Sequence, residues 1–225
     1  MAQIKGPKGS PTIDMTPMVD LAFLLVTFFM LSANFRSDEP VQVDTPSSIA
    51  SKEIPKNMVQ ITIDGRGQVY FGFKATPEAR INVLRSMYQK YGLKTTKKEE
   101  EEFAKLSSFA CPIQDLPAYL KADVDERKKL SSSIPTDSAN VEYGNQLKYW
   151  IIFGKNEGID AKHVLYDEAV IKNPNLIEKD FETKWIIKAD GKAKYQNAKV
   201  VIETFRDLEI YNLNFITSLE GNTEK

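Results

Sequence analysis

One apolar run constrains this 225-residue chain more than any other feature: from Met18 to Ala33 it is broken only by Asp20, Thr27 and Ser32. As a helix rising about 1.5 Å per residue, the run covers ~24 Å, short of the roughly 30 Å of a bilayer's hydrocarbon core. A span therefore needs flanking residues as far as Phe35, and the expected organisation is a tail over 1–15 and a transmembrane helix over 16–36. Lys5 and Lys8 precede the run, whereas Arg36 is followed by Asp38, Glu39 and Asp44. The lysine and arginine bias then puts the N-terminus in the cytoplasm and exports the rest. A cleavable signal peptide has the same three regions, but Pro17 and Asp20 interrupt the head of the run, so retention is expected.

Asp20 is the anomaly, because a carboxylate at bilayer depth costs from about 2.5 kcal/mol upward on insertion scales. Two readings compete. In one, Thr16 is an N-cap and Pro17 the first helical residue, which puts Asp20 in a first turn where the helix dipole favours negative charge. In the other, the helix starts near Ile13 and Asp20 faces protein inside the membrane, where desolvation makes it a reversible proton carrier. Asp20, Thr27 and Asn34 recur at heptad spacing, within roughly 40° of one another around a helix, so they form a polar stripe. Such a stripe on a single helix suits a protein partner or a file of water rather than lipid on all sides.

Outside the run the composition is that of a soluble globular protein, the net charge of the whole chain is -1, and nucleic acid is not an expected partner. One cysteine, Cys111, and one histidine, His163, cannot supply a disulfide framework or a Cys/His metal cluster; they read as a packing thiol and a surface imidazole. There is no phosphate-cradling glycine loop, GxSxG elbow or HExxH helix, so neither a cofactor nor soluble-enzyme chemistry is expected.

The stretch "IDMTPMVDLAFLLVTFFML" resembles the opening of the ExbD/TolR family, single-pass subunits of proton-driven motors in the bacterial inner membrane. The resemblance implies that Asp20 carries the proton, that Thr16 and Pro17 belong to the same box, and that Thr27 matches a functional threonine. Where the family often has asparagine two positions before the threonine, this chain has Asp14. A second match is the triplet Lys188, Ala189 and Asp190 after the strand-like Trp185 to Lys188, similar to the family's KAD signature and read physically as a strand-ending turn. The same triplet at Lys121 to Asp123 follows no such strand and reads as coincidence. The resemblance further implies a homodimer, an ExbB-like multi-pass membrane partner and a TonB-like protein that receives the work. The alternatives are a TolR-like envelope-integrity motor, or a membrane-tethered periplasmic binding module with no proton step.

The exported part reads as one α+β domain over 57–220, after a linker over 37–56: a mixed sheet of four or five strands under two amphipathic helices. "NMVQITID" and "QVYFGF" make a hairpin around Asp64-Gly65. Thr76 and Pro77 start a helix with Ile81, Leu84, Tyr88 and Tyr91 on one stripe. A last helix carries Ala198, Val201, Ile202, Phe205 and Leu208, and Tyr211 to Ser218 closes with a strand. Residues 94–162 are expected to be an insertion with helical pieces on the domain's edge, including a helix with Leu147, Trp150 and Ile151 apolar; its acid run Glu99 to Glu102 reads as solvated. In the linker, "PVQVDTP" reads equally as a tether or a short edge strand.

Overall fold

The computed structural model describes residues 15–32, 55–137 and 144–217. The chain divides into two compact units, Met1–Ser37 and Asp38–Lys225. The expected linker strand around Val41 and Val43 lies outside the described residues.

In the first unit one helix, α1, runs over Thr16–Ser32. Its 17 residues extend about 25 Å, and among the described residues no helix is long and apolar enough to cross a membrane. The expected continuation to residue 36 lies outside the described residues.

The second unit is α+β. Its strands are β1 (Met58–Ile63), β2 (Val69–Lys74), β3 (Lys184–Ala189) and β4 (Leu213–Thr217), in the sheet order β2-β1-β3-β4. β1 pairs antiparallel with β2 and parallel with β3, and β3 pairs parallel with β4, so the sheet is mixed. Register lines up the alternate residues into rows: Phe73, Val59, Trp185 and Leu213 in one, Phe71, Ile61, Ile187 and Phe215 in the next. Because side chains alternate across a strand, these rows make one apolar face, while Gln60, Thr62, Lys184 and Lys188 point to the other.

The helices are α2 (Pro77–Lys90), α3 (Lys97–Lys105), α4 (Leu116–Lys121), α5 (Val124–Leu130), α6 (Gln146–Val170) and α7 (Tyr195–Asp207), with a 3-10 turn at Glu178–Phe181 before β3. α2 starts where expected, with the Thr76 hydroxyl accepting from the Ala79 N–H and proline at the first position. Its buried stripe is rotated from the expected one: Val83, Leu84, Met87 and Tyr88 are buried, whereas Ile81 is half-buried. On α7, Val201 and Phe205 are buried, and the Phe205 ring meets Trp185 edge-on at 5.8 Å.

Residues 94–162 are not peripheral to the core. Trp150 of α6 is fully buried against Phe71 of β2 at 5.4 Å, Phe103 of α3 at 5.9 Å and Phe109 at 4.9 Å between ring centroids. Phe109 also bridges to β2: its N–H donates to the Phe71 carbonyl at 3.0 Å and its carbonyl accepts from the Phe71 N–H at 2.9 Å. Helix α6 comes close to the sheet at Gly154, where an added Cβ would stand 3.3 Å from Val59 and 3.6 Å from Phe71. Buried Gln146 ties the start of α6 to the preceding loop, accepting from the Ile113 N–H at 2.8 Å and donating to Gln114 Oε1 at 3.0 Å.

The acid run is also not simply solvated: Glu99 and Glu100 are only 5% and 8% exposed. Glu99 closes a capping box with Thr96, and its Oε1 lies 3.3 Å from Lys121 Nζ. Cys111 is buried, and burial pushes its thiol up, which fits a packing residue; His163 is exposed beside Glu178.

Candidate functional site

α1 begins at Thr16, one residue before the capping reading placed its first helical residue, and a start near Ile13 lies outside the described residues. The Met15 carbonyl accepts from the Val19 N–H at 3.0 Å, so Thr16 is already helical rather than a cap. Pro17 takes the second position, where no N–H is required. There is no acid in the first turn, because Asp20 falls just beyond it. The dipole's stabilisation fades over that distance, so the helix terminus accounts for less of this carboxylate than the capping reading supposed.

Asp20 is the one ionisable side chain in α1, and apolar residues surround it on every side of the helix. Leu21, Phe23, Leu25, Phe28 and Phe29 are all exposed, Phe28 at 66%. A helix that is apolar all round is one that something else covers, whether lipid or protein. Within this coat Thr27 is the half-buried exception. Its hydroxyl donates back to the helix, shared between the Phe23 and Leu24 carbonyls at 3.0 Å each. Both lone pairs of the oxygen can still accept, so the group offers an acceptor without exposing an unmet donor to an apolar surround.

Seven residues bring Asp20 and Thr27 to within about 20° of each other around α1 and roughly 10 Å apart along it. A carboxylate and a hydroxyl two turns away thus share one face. Asn34, expected as the third member, lies outside the described residues.

Lys188, Ala189 and Asp190 belong to the second unit and close its sheet. Lys188 and Ala189 pair with Thr62 and Ile63 at the end of β3. The Asp190 N–H donates to the Ile63 carbonyl at 2.9 Å, its Oδ1 accepts from the Lys192 N–H at 2.8 Å, and its carbonyl accepts from the Ala193 N–H at 2.9 Å. The triplet therefore ends a strand and turns the chain into α7. Beside it lies the hairpin loop, where buried Asp64 accepts from the Arg66 and Gln68 N–H groups at 2.9 and 2.8 Å. Gly65 faces Asp190 and Lys192, and Gly67, at φ 86°, has no room for a Cβ beside the Asn197 amide. The second KAD copy joins α4 to α5, with Asp123 capping α5 through the Glu126 N–H at 2.8 Å.

Sequence reasoning missed Arg80, whose Nε is buried without a hydrogen-bond partner. An arginine directly after the buried Ala79, within an amphipathic helix, was the available signal. Among the described residues no group of three His, Cys, Asp or Glu side chains is placed to hold a metal ion.

A family model described as "Biopolymer transport protein ExbD/TolR" matches residues 7–220 of the chain. No curated protein and no solved structure matches it.

Proposed function

The chain belongs to the ExbD/TolR family of energy-transducing biopolymer transport subunits, and from that premise we propose that Asp20 is the proton carrier of an inner-membrane motor. One observation carries the reading: α1 presents apolar side chains in every direction and has a single ionisable group among them. That combination suits a helix seated against lipid and a multi-pass, ExbB-like partner, with Asp20 and Thr27 turned to the protein. The described helix is about 5 Å shorter than a typical hydrocarbon core, a mismatch that local bilayer thinning accommodates at modest cost.

In this reading Asp20 is reached by a proton from the periplasmic side, becomes neutral and releases it to the cytoplasmic side. The neutral form is at home in a dry interface and the charged form is not, so each transfer biases how α1 sits against its partner. One charge crossing the potential yields about 2.3 kcal/mol per 100 mV, enough to drive a conformational cycle only a few kilocalories deep. Thr27 would lend an acceptor along the proton's route. Two copies of the chain would act together, and the exported α+β unit would pass the work to a TonB-like protein serving outer-membrane transport.

Asp20→Asn tests this directly, because it preserves size and hydrogen-bonding capacity while abolishing titration. In cells lacking the native copy, the variant should reach normal levels and co-purify with the multi-pass partner, yet fail to drive uptake through an energised outer-membrane transporter. Full uptake by the asparagine variant at normal protein level would remove the proton-carrier assignment.

A further inference from the structure

Helices α3, α4 and α5 border an open cleft of about 160 Å³, room for several water-sized groups. Glu99 and Glu102 stand one turn apart on its α3 wall. Each holds a cation from another helix: Glu99 Oε1 lies 3.3 Å from Lys121 Nζ of α4, and Glu102 Oε2 lies 3.2 Å from Arg127 Nη2 of α5. Lys121 and Ala122, both at the cleft, open the second KAD copy, and its Asp123 caps the helix that carries Arg127. That triplet, a coincidence as a family signature, shapes one wall of the cleft.

The acceptors of the cleft are already matched. Glu99 Oε2 accepts from the Thr96 N–H at 3.0 Å while Oε1 faces Lys121; Glu102 Oε1 accepts from Lys105 Nζ at 2.9 Å while Oε2 faces Arg127. Its donors are in excess. Arg127 commits Nε to the Tyr119 carbonyl and Nη2 to Leu120 and Glu102, which leaves Nη1 outside these bonds. Lys121 sets three protons against one carboxylate oxygen. Lys98 is exposed and makes no ion pair among the described residues, and the Thr96 hydroxyl, an acceptor in the capping box, still has its own proton to donate. The Lys121 side chain is 69% exposed and that of Arg127 17%, so a solute can reach this side of the cleft. Lys98, Lys121 and Arg127 against Glu99 and Glu102 leave the walls with a net charge of +1.

An oxygen-rich anion answers that pattern. A carboxylate offers two oxygens in one plane, whereas a tetrahedral phosphate offers oxygens in several directions to donors that arrive from three helices. Lysine, a point charge with rotatable donors, meets such a group from any side. A bare phosphate leaves room in the cleft, and Leu120 and Ala122 supply an apolar wall for a small organic group. We propose that this cleft binds a phosphate monoester, with Lys98, Lys121 and the Thr96 hydroxyl on the phosphoryl oxygens, Arg127 adding its charge, and Leu120 and Ala122 beside the organic group. The phosphate belongs either to a free small molecule or to a lipid head group, and one test separates the two. The site stands whether or not Asp20 carries protons.

The full chain, ¹³C-labelled at its alanine methyls, is placed in maltoside micelles, which carry no phosphate. It is titrated at constant ionic strength with glycerol phosphate, with glycerol and with sodium acetate. The Ala122 methyl reports from the cleft, and the buried Ala161 methyl of α6 reports on the fold. Glycerol phosphate should give a saturating shift at Ala122 and none at Ala161, and glycerol and acetate should not saturate over the same range. Lys98→Gln removes an exposed cation, so the Ala161 signal and the melting temperature should stay unchanged while affinity for the ester falls about fivefold. In nanodiscs, phosphatidic acid added to phosphatidylcholine reproduces the Ala122 shift if the ligand is a lipid head group; a shift with the soluble ester alone assigns a free molecule. An Ala122 signal that stays still with both the ester and phosphatidic acid overturns the site. Acetate binding as tightly as the ester, or an affinity that Lys98→Gln leaves unchanged, overturns it as well.

Discussion

The Arg85 guanidinium grips the Glu100 carboxylate with both arms: Nε meets Oε1 at 2.8 Å and Nη2 meets Oε2 at 2.7 Å. The pair fastens α2 to α3 across an otherwise charged stretch of sequence. The hydrogen bond from Arg85 is the main cause that holds the Glu100 carboxyl below its ordinary value, against the opposing effect of burial. A carboxylate depressed in the folded state adds stability above its ordinary range and loses it as pH falls through the folded value.

The melting temperature of the second unit should therefore respond to Glu100→Gln in a pH-dependent way. At pH 7 the variant should melt below the unaltered chain. The gap should narrow as the pH is lowered from about 4.5, where unfolded glutamates begin to protonate, and close once the folded carboxyl is protonated too. Melts followed by circular dichroism across that range check it; a gap constant with pH would show that the loss comes from packing alone.

At Gly67 a substitution meets two obstacles. Its φ of 86° is a conformation that L residues avoid, and a Cβ would run into the Asn197 amide. Gly67→Ala should destabilise the second unit by about 1–2 kcal/mol from the backbone alone. Adding Asn197→Ala should recover only the part due to the collision, which denaturant titration of the single and double variants would measure.

Trp150→Ala should cost about 3–5 kcal/mol, enough to unfold a marginal domain, because it empties the space between Phe71, Phe103 and Phe109. Trp150→Phe should cost far less, since it keeps an aromatic ring and removes an indole N–H that is buried without an acceptor. Near-ultraviolet circular dichroism of the two variants separates these outcomes.

For the orientation, single cysteines at Ala2 and Ser47 lie on either side of α1 in sequence. An impermeant thiol reagent applied outside the inner membrane should label Ser47→Cys and spare Ala2→Cys. The native Cys111 is fully buried, so it stays silent in this assay while the protein is folded. Labelling in the opposite pattern would reverse the proposed topology.

Much of the sheet was legible because its signals are local. The β1–β2 hairpin announces itself by alternation and by Asp64-Gly65, α2 by Thr76-Pro77, and α7 by the spacing of Val201 and Phe205. The cluster of Trp150 with Phe71, Phe103 and Phe109 was not legible, because those rings come from four separate stretches and no periodicity within one stretch encodes their meeting. The buried glutamates were hidden for a related reason. A charge run looks solvated until its partners are known, although Thr96 followed three residues later by Glu99 was a readable capping box. In α1, spacing put Asp20 and Thr27 on one face, but the start of the helix, which decides whether Asp20 belongs to the first turn, depends on backbone geometry at Met15.

The pairing of β1 with β3 joins Met58 to Lys184, so the central seam of the sheet closes between strands made far apart in time. Contacts of such long sequence separation slow folding, because the loop between them must be ordered before the pairing is rewarded. Until Trp185 and Ile187 arrive, the newly made hairpin holds Val59, Ile61 and Ile63 with one ladder unmade, a template for mispairing with other nascent chains. A holding chaperone that shields this hairpin during biogenesis would therefore matter more to the yield of the protein than to its final stability.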